Sequence, residues 1–202
     1  MKILKMYTSN INDRFMNEVI DTLRNGGIII YPTDTLYAIG CNALNNNAIE
    51  RICKIKGINP QRTNLSIVCS DISQASQYAR IDNNAYQLLR ENLPGAFTFI
   101  LPSASTLPKV FKGRKTVGIR VPDNDIAREI AIQLGNPILT TSVEWDEDPE
   151  DGCNPQAIAM KYDNDVEIVI DGGYGELTPS TIIDCTDSVN PEIIREGKGE
   201  LS

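Results

Sequence analysis

Histidine is missing from all 202 residues. That absence removes Ser-His-Asp and Cys-His nucleophilic mechanisms, His-Glu-x-x-His zinc sites and histidine as general base. Chemistry in this chain has to run on Lys, Arg, Asp, Glu, hydroxyls, backbone N–H groups or a bound ion. Positive charge is also short: 19 Lys and Arg stand against 27 Asp and Glu, a net charge of -8. An acidic chain gains nothing from nonspecific attraction to phosphate backbones, so any nucleotide or nucleic acid needs a local cluster of Lys and Arg. The five cysteines are odd in number and include no Cys-x-x-Cys pair. Neither a disulfide framework nor a zinc ribbon is indicated, and each cysteine reads as a small buried hydrophobe in or beside an apolar segment. No stretch approaches the roughly 18 apolar residues of a membrane span, and MKILKMYTSN has neither a long apolar core nor a small-residue cleavage site. The expectation is a cytoplasmic protein without membrane contact.

What is present is ordinary for a globular chain: 41% hydrophobic and 23% charged residues. The length suits a single domain over 1–202. Ile11, Phe15, Val19 and Leu23 recur at helical spacing, so 11–24 reads as a helix capped by Asn10 or Asn12 and ended by Asn25-Gly26-Gly27. Ile28 to Tyr31 is a short buried strand stopped by Pro32. Further helices are expected at 46–55, 71–79, 82–92, 123–134 and 154–162, with Asp71 and Asp82 as caps. Further strands are expected at 65–69, 96–101, 116–121, 137–141, 165–170, 180–185 and 192–195. Helices alternating with short apolar strands give an α/β class. The strand at 28–31, a helix and the strand at 65–69 suggest one βαβ unit. The strand-rich second half favours antiparallel pairs. The fold expected is a twisted mixed parallel/antiparallel sheet with surrounding helices.

Candidate functional residues gather at strand ends. Tyr31-Pro32-Thr33-Asp34-Thr35 sets three hydroxyls and a carboxylate where a buried strand stops, a favoured ligand position in α/β sheets; an ordinary Pro-Thr-Asp turn fits the same residues. Lys56 and Arg62 bracket a Gly/Pro-containing loop, which suits a phosphate clamp or two solvated charges. Arg120 lies in the apolar strand Val117 to Val121, where a lone guanidinium is costly. It either pairs with a carboxylate or faces an anion in a cavity, and the expectation taken forward is the cavity. Thr140-Thr141-Ser142 and Pro179-Ser180-Thr181 repeat the strand-end hydroxyls, and Arg195 to Gly199 makes a glycine-flexed basic tail. Thr33, Lys56, Ser142, Ser180 and Arg195 are expected on one concave site.

The segments YPTDTLYAIGC at 31–41, LPGAFTFIL at 93–101, KTVGIRVPDN at 115–124, PSTIIDCT at 179–186 and IIREGKG at 193–199, in this order, resemble the YrdC/YciO-like family of threonylcarbamoyl-AMP synthases. The resemblance implies one α/β domain with a basic concave cavity. It implies an activity that joins threonine, bicarbonate and ATP, with Mg2+ on the phosphates and no prosthetic group, to make the threonylcarbamoyl adenylate used in t6A modification of tRNA. It further implies that Thr33, Lys56 and Arg120 serve catalysis. Tyr31, Thr35, Arg62, Thr141, Ser142, Ser180 and Arg195 would then bind substrate or nucleotide. Double-stranded RNA is the alternative ligand that the family suggests, for a non-catalytic binder of the same fold.

Three positions depart from the synthase pattern. Lys-x-Arg reads Lys56-Gly57-Ile58, Lys-Pro-Leu reads Thr63-Asn64-Leu65, and Ser-x-Asn reads Ser142-Val143-Glu144, followed by an acidic loop. The pattern looks closer to the YciO branch and implies weakened activity.

Overall fold

The computed structural model describes residues 1–202 except 60–64, 105–106, 108–110, 112 and 146–147. Ten strands form one sheet: β1 (Lys2–Lys5), β2 (Ile28–Tyr31), β3 (Ala38–Asn42), β4 (Ser66–Val68), β5 (Phe97–Pro102), β6 (Thr116–Arg120), β7 (Ile138–Ser142), β8 (Ile168–Asp171), β9 (Thr181–Asp184) and β10 (Glu192–Arg195). Their spatial order is β1-β8-β2-β3-β7-β4-β6-β5-β9-β10. Six helices surround it: α1 (Asp13–Arg24), α2 (Asn46–Ile55), α3 (Ile72–Ala75), α4 (Asn83–Asn92), α5 (Asp125–Leu134) and α6 (Pro155–Lys161). Helix starts follow local chemistry. Asn12, Asn45, Asp71, Asp82, Asn124 and Asn154 each accept a backbone N–H of the first turn. No described helix is long and apolar enough to cross a membrane.

The sheet is mixed, as expected, with parallel pairs β1/β8, β2/β8, β4/β6 and β5/β9 among antiparallel ones. Two strands escape sequence reading. β1 carries two lysines in four residues and sits at the sheet's edge. In β3 the glycine at 40 interrupts the apolar alternation, and the space above it holds the Tyr31 ring and Ile138. The βαβ expectation is corrected accordingly. The helix α2 leads from β3, not β2, into β4, and β7 lies between those two strands.

Alternation of side chains assigns each strand two faces. One face packs Ile28, Ile30, Ile39, Leu139, Ile67, Ile119 and Phe99 against Ile49, Ile52, Leu89 and Ile158 of α2, α4 and α6. The other face packs Ile29, Ile138, Val68 and Ile170 against Met16, Val19 and Leu23 of α1 and Ile126 and Ile130 of α5. This second layer stops at β4. Among the described residues, no helix covers that face over β6, β5, β9 and β10. Small and polar residues interrupt the apolar ones there: Gly118 and Arg120 in register with Ser66 and Val68, and Thr98 in register with Ile182.

All five cysteines are buried and free. Burial raises the Cys185 thiol to about 11 and pushes Cys41 and Cys69 up as well, so these are inert packing groups.

After β10 the chain folds back along β9. Gly197 N–H donates to Thr181 Oγ1 at 3.0 Å and Lys198 N–H to the Pro179 carbonyl at 2.8 Å. A Cβ at position 197 would lie 2.3 Å from Pro179 O and 2.6 Å from the Ser180 carbonyl carbon. Those are backbone atoms and cannot rotate away. Gly197→Ala should therefore cost about 1–3 kcal/mol, the usual range for overpacking. Urea denaturation and hydrogen exchange provide the check: the midpoint should fall and the Gly197 and Lys198 amides should lose protection. An unchanged midpoint with full protection would show that the close approach is not needed.

Candidate functional site

The turn after β2 is built by its own hydroxyls. Thr33 Oγ1 accepts the Thr35 N–H at 3.0 Å and donates to the Leu36 carbonyl at 2.7 Å. The two threonine hydroxyls lie 3.1 Å apart. Since Thr33 gives its hydrogen to Leu36, Thr35 must donate to Thr33, which leaves Thr35 Oγ1 as acceptor for Arg120 Nη2 at 3.0 Å. Both hydroxyls are buried and shape the turn. Tyr31 is also buried and donates to Thr140 Oγ1 at 3.0 Å. Burial raises its pKa to about 12, so it stays a neutral donor, with the Thr140 hydrogen bond and the Arg120 charge opposing the shift.

Arg120 resolves the two alternatives left open by its sequence. Its Nη2 lies 3.0 Å from Asp34 Oδ1, and both side chains are 8% exposed. Asp34 Oδ2 accepts the Asp123 N–H at 2.9 Å, so both oxygens are held. The expectation that Arg120 faces the cavity instead of pairing is corrected. An unpaired guanidinium at this depth would carry an uncompensated desolvation cost, and Asp34 removes it. Burial lowers the Arg120 pKa, and Asp34 opposes the drop. Its Nε is buried and has no hydrogen-bond partner among the described residues. The arginine stays beside other expected residues, through Thr35 to Thr33, and its charge reaches Arg195.

Arg195 closes a second group. Its Nη2 and Nε donate to the Ser180 carbonyl at 2.8 and 3.3 Å. Ser180 Oγ lies 2.9 Å from Thr98 Oγ1. Burial, and then the nearby Arg120, lower the Arg195 pKa. Lys198 ties this tail to the first group, donating to Asp34 O at 2.9 Å and lying 3.2 Å from Glu176 Oε1.

Lys56 and Ser142 form a third group. Helix α2 ends on Gly57 at φ +62°, with Gly57 N–H to Lys54 O and Ile58 N–H to Cys53 O. This is a Schellman motif, and its residue after the glycine turns inward to an apolar contact. Ile58 accordingly packs against the core that contains Cys53. The apolar residue at the expected arginine position is thus part of the helix stop. Lys56 reaches the other way, donating to Ser142 O at 3.0 Å and pairing with Glu144 Oε1 at 3.0 Å. By strand alternation Ser142 lies on the same side of the sheet as Thr140 and Ser66, whereas Thr141, paired with Ile39, turns to the opposite side. Thr141, expected to bind substrate, therefore points away from the side that carries Ser142 and Thr140. Arg62, Thr63 and Asn64 lie outside the described residues.

Sequence reading misses Ser66, Thr98 and Thr116. They line a cavity of about 160 Å³ on the uncovered face with Gly118, Ile100, Ile182 and Ile194. A signal for Thr98 was available: it is the polar member between Phe97 and Phe99, facing away from the core they fill. Ser66 and Thr116 stand alone in their segments, and only the register β7-β4-β6-β5 brings them together. A larger groove of about 570 Å³ runs along α1 and the Arg51–Glu167 pair, and none of the expected site residues line it.

The Arg120–Asp34 pair yields a direct test. Arg120→Met leaves the Asp34 carboxylate buried with one N–H donor and should cost about 3–5 kcal/mol of stability. Adding Asp34→Asn should recover a large part of that loss. Urea denaturation of the two single variants and the double variant checks this, and additive losses would show that the two groups do not depend on one another.

The Sua5_yciO_yrdC family model, described as telomere recombination, matches residues 21–197. The uncharacterized protein YciO of Escherichia coli is 38% identical over 198 residues, covering 97% of this chain and 95% of the relative. The crystal structure of E. coli YciO aligns with a TM-score of 0.91 over 99% of this chain and 98% of that one, at 37% identity. The threonylcarbamoyl-AMP synthase of Bacillus subtilis is 31% identical over 92% of this chain and 54% of its own length. The structure of P. abyssi Sua5 complexed with L-threonine aligns with a TM-score of 0.87 at 28% identity, over 98% of this chain and 58% of that one. The chain belongs to the Sua5/YciO/YrdC family.

Proposed function

We propose that this protein binds threonine and an adenine nucleotide on the uncovered half of its sheet and makes threonylcarbamoyl-AMP from threonine, bicarbonate and ATP at a reduced rate. The observation that carries the reading is the open face itself. Ser66, Thr98, Thr116 and Ser180 supply hydroxyls, and Arg195 and Arg120 stand at its end, in a fold that aligns with a threonine-bound family member. The cavity of about 160 Å³ is smaller than the roughly 300 Å³ at which drug-sized ligand pockets begin. It suits an amino acid or one part of a nucleotide, with the remaining phosphates along the open rim.

In this reaction the threonine amine attacks the bicarbonate carbon and water leaves. A carbamate oxygen then attacks the α-phosphorus, and the bond to the β-phosphate breaks to release pyrophosphate. The protein's part is alignment and charge compensation, which needs no histidine. Among the described residues no cluster of three or more carboxylates and thiols is placed to hold a metal. Mg2+ in this reading arrives on the triphosphate. Weakened turnover is supported by Lys56, whose ammonium is paired to Glu144, and by Ile58, which packs inward.

A double-stranded RNA ligand fits less well. Three of the site cations carry a carboxylate partner, Lys56 with Glu144, Arg120 with Asp34 and Lys198 with Glu176, on a chain of net charge -8.

The test is pyrophosphate release with ATP, threonine and bicarbonate, omitting each in turn. Release should require all three. Arg195→Gln should lower kcat/KM about 10- to 100-fold, the effect of losing one charged donor near developing phosphate charge. Release that continues without threonine, or an Arg195→Gln variant as fast as wild type, would overturn the assignment.

A further inference from the structure

We infer that Glu144 is a specificity-determining residue, a built-in anion on Lys56 that makes the site favour a nucleoside monophosphate over a nucleoside triphosphate. The inference rests on the nucleotide reading above and deepens it. Lys56 and Arg120 both carry carboxylate partners, but the two pairs differ in kind. Asp34 is 8% exposed and held at both oxygens, by Arg120 and by the Asp123 N–H, so it belongs to the frame. Glu144 is 72% exposed, and its carboxylate is held by Lys56 at 3.0 Å. The Lys56 side chain beneath it is only 5% exposed and is held from below by the Ser142 carbonyl at 3.0 Å.

The Lys56 ammonium is held by Glu144 and by the Ser142 carbonyl, so a ligand phosphate has to compete with Glu144 for it. The displaced carboxylate stays tethered one residue beyond Val143, whose N–H is bound to the Tyr37 carbonyl at 2.8 Å. Its own carbonyl is fixed by Lys161 Nζ at 2.8 Å, so the backbone keeps the negative charge close to the arriving phosphate. A ligand with a single phosphate, held at Arg195, leaves the Lys56–Glu144 pair intact. A ligand with two further phosphates has to compete with Glu144 for Lys56 and then lie beside it. The pair therefore acts as a charge filter on the length of the phosphate chain.

Isothermal titration calorimetry of the full chain with AMP and with Mg·ATP tests this on wild type, Glu144→Gln and Glu150→Gln. Glu144→Gln keeps the side-chain shape and removes the charge at an exposed position. Glu150→Gln removes one charge from the same acidic stretch, away from Lys56. Wild type should bind AMP more tightly than ATP. Glu144→Gln should tighten ATP about tenfold, the size of one additional charge-assisted hydrogen bond, and change AMP by less than about threefold. Glu150→Gln should change neither. Equal effects of Glu144→Gln on both nucleotides, no effect on either, or the same effect from Glu150→Gln would overturn the filter while leaving nucleotide binding in place. Failure of every variant to bind either nucleotide would overturn the nucleotide reading and the filter together.

Discussion

The buried Asp34–Arg120 pair ties together the parts of the chain from which the open face is made. Arg120 is the last residue of β6, Asp34 lies in the turn after β2, and the second Asp34 oxygen holds the Asp123 amide just before α5. The Asp34 carbonyl receives Lys198 from the tail that follows β10. Three groups from two other stretches, 120–123 and the tail, thus converge on one aspartate. Neither charge could remain at this depth alone, since leaving one buried ion unpaired costs several kcal/mol. The requirement that they meet fixes where the turn, the helix start and the tail lie relative to the sheet.

Around that anchor the molecule leaves part of one sheet face without a helix. The layer formed by α1 and α5 reaches β4 and ends there, and from β4 outward Ser66, Gly118, Thr98 and Thr116 break up the apolar Ile100, Ile182 and Ile194. Hydroxyls and small residues there satisfy one another, as in the 2.9 Å Thr98–Ser180 contact, and tolerate exposure to water. The same polarity makes the surface suitable for a polar ligand. Cations at its edge are mostly matched by carboxylates, which sets this chain apart from a simple anion trap.

Much of this was legible in the residues. Asn12, Asp71 and Asp82 mark helix starts where expected, because a cap is a local hydrogen bond set by three or four consecutive residues. Arg120 was recognisable as exceptional because a charge in an apolar strand demands a partner, but Asp34 is 86 positions away and nothing local names it. Ile58 shows the same limit in reverse. As a replaced arginine it looks like a lost function, and in the fold it is the inward residue of a helix stop. Thr141 and Ser142 are neighbours in sequence, yet the two-residue period of a strand sends them to opposite faces.

Residue order alone was enough for the class of fold, the helix starts, eight of the ten strands and the exclusion of histidine chemistry, since these depend on periodicity, caps and composition. It also carried the family resemblance in short runs such as Gly118-Ile119-Arg120-Val121. Only the tertiary structure decided which cations are matched, which hydroxyls face the open surface and which hold a turn. Those outcomes depend on strand order, β7-β4-β6-β5, and on pairs such as Lys56–Glu144 that join residues 88 positions apart. Such contacts arise when the chain closes on itself, and a local pattern of residues holds no record of which distant groups will then lie within 3 Å of each other.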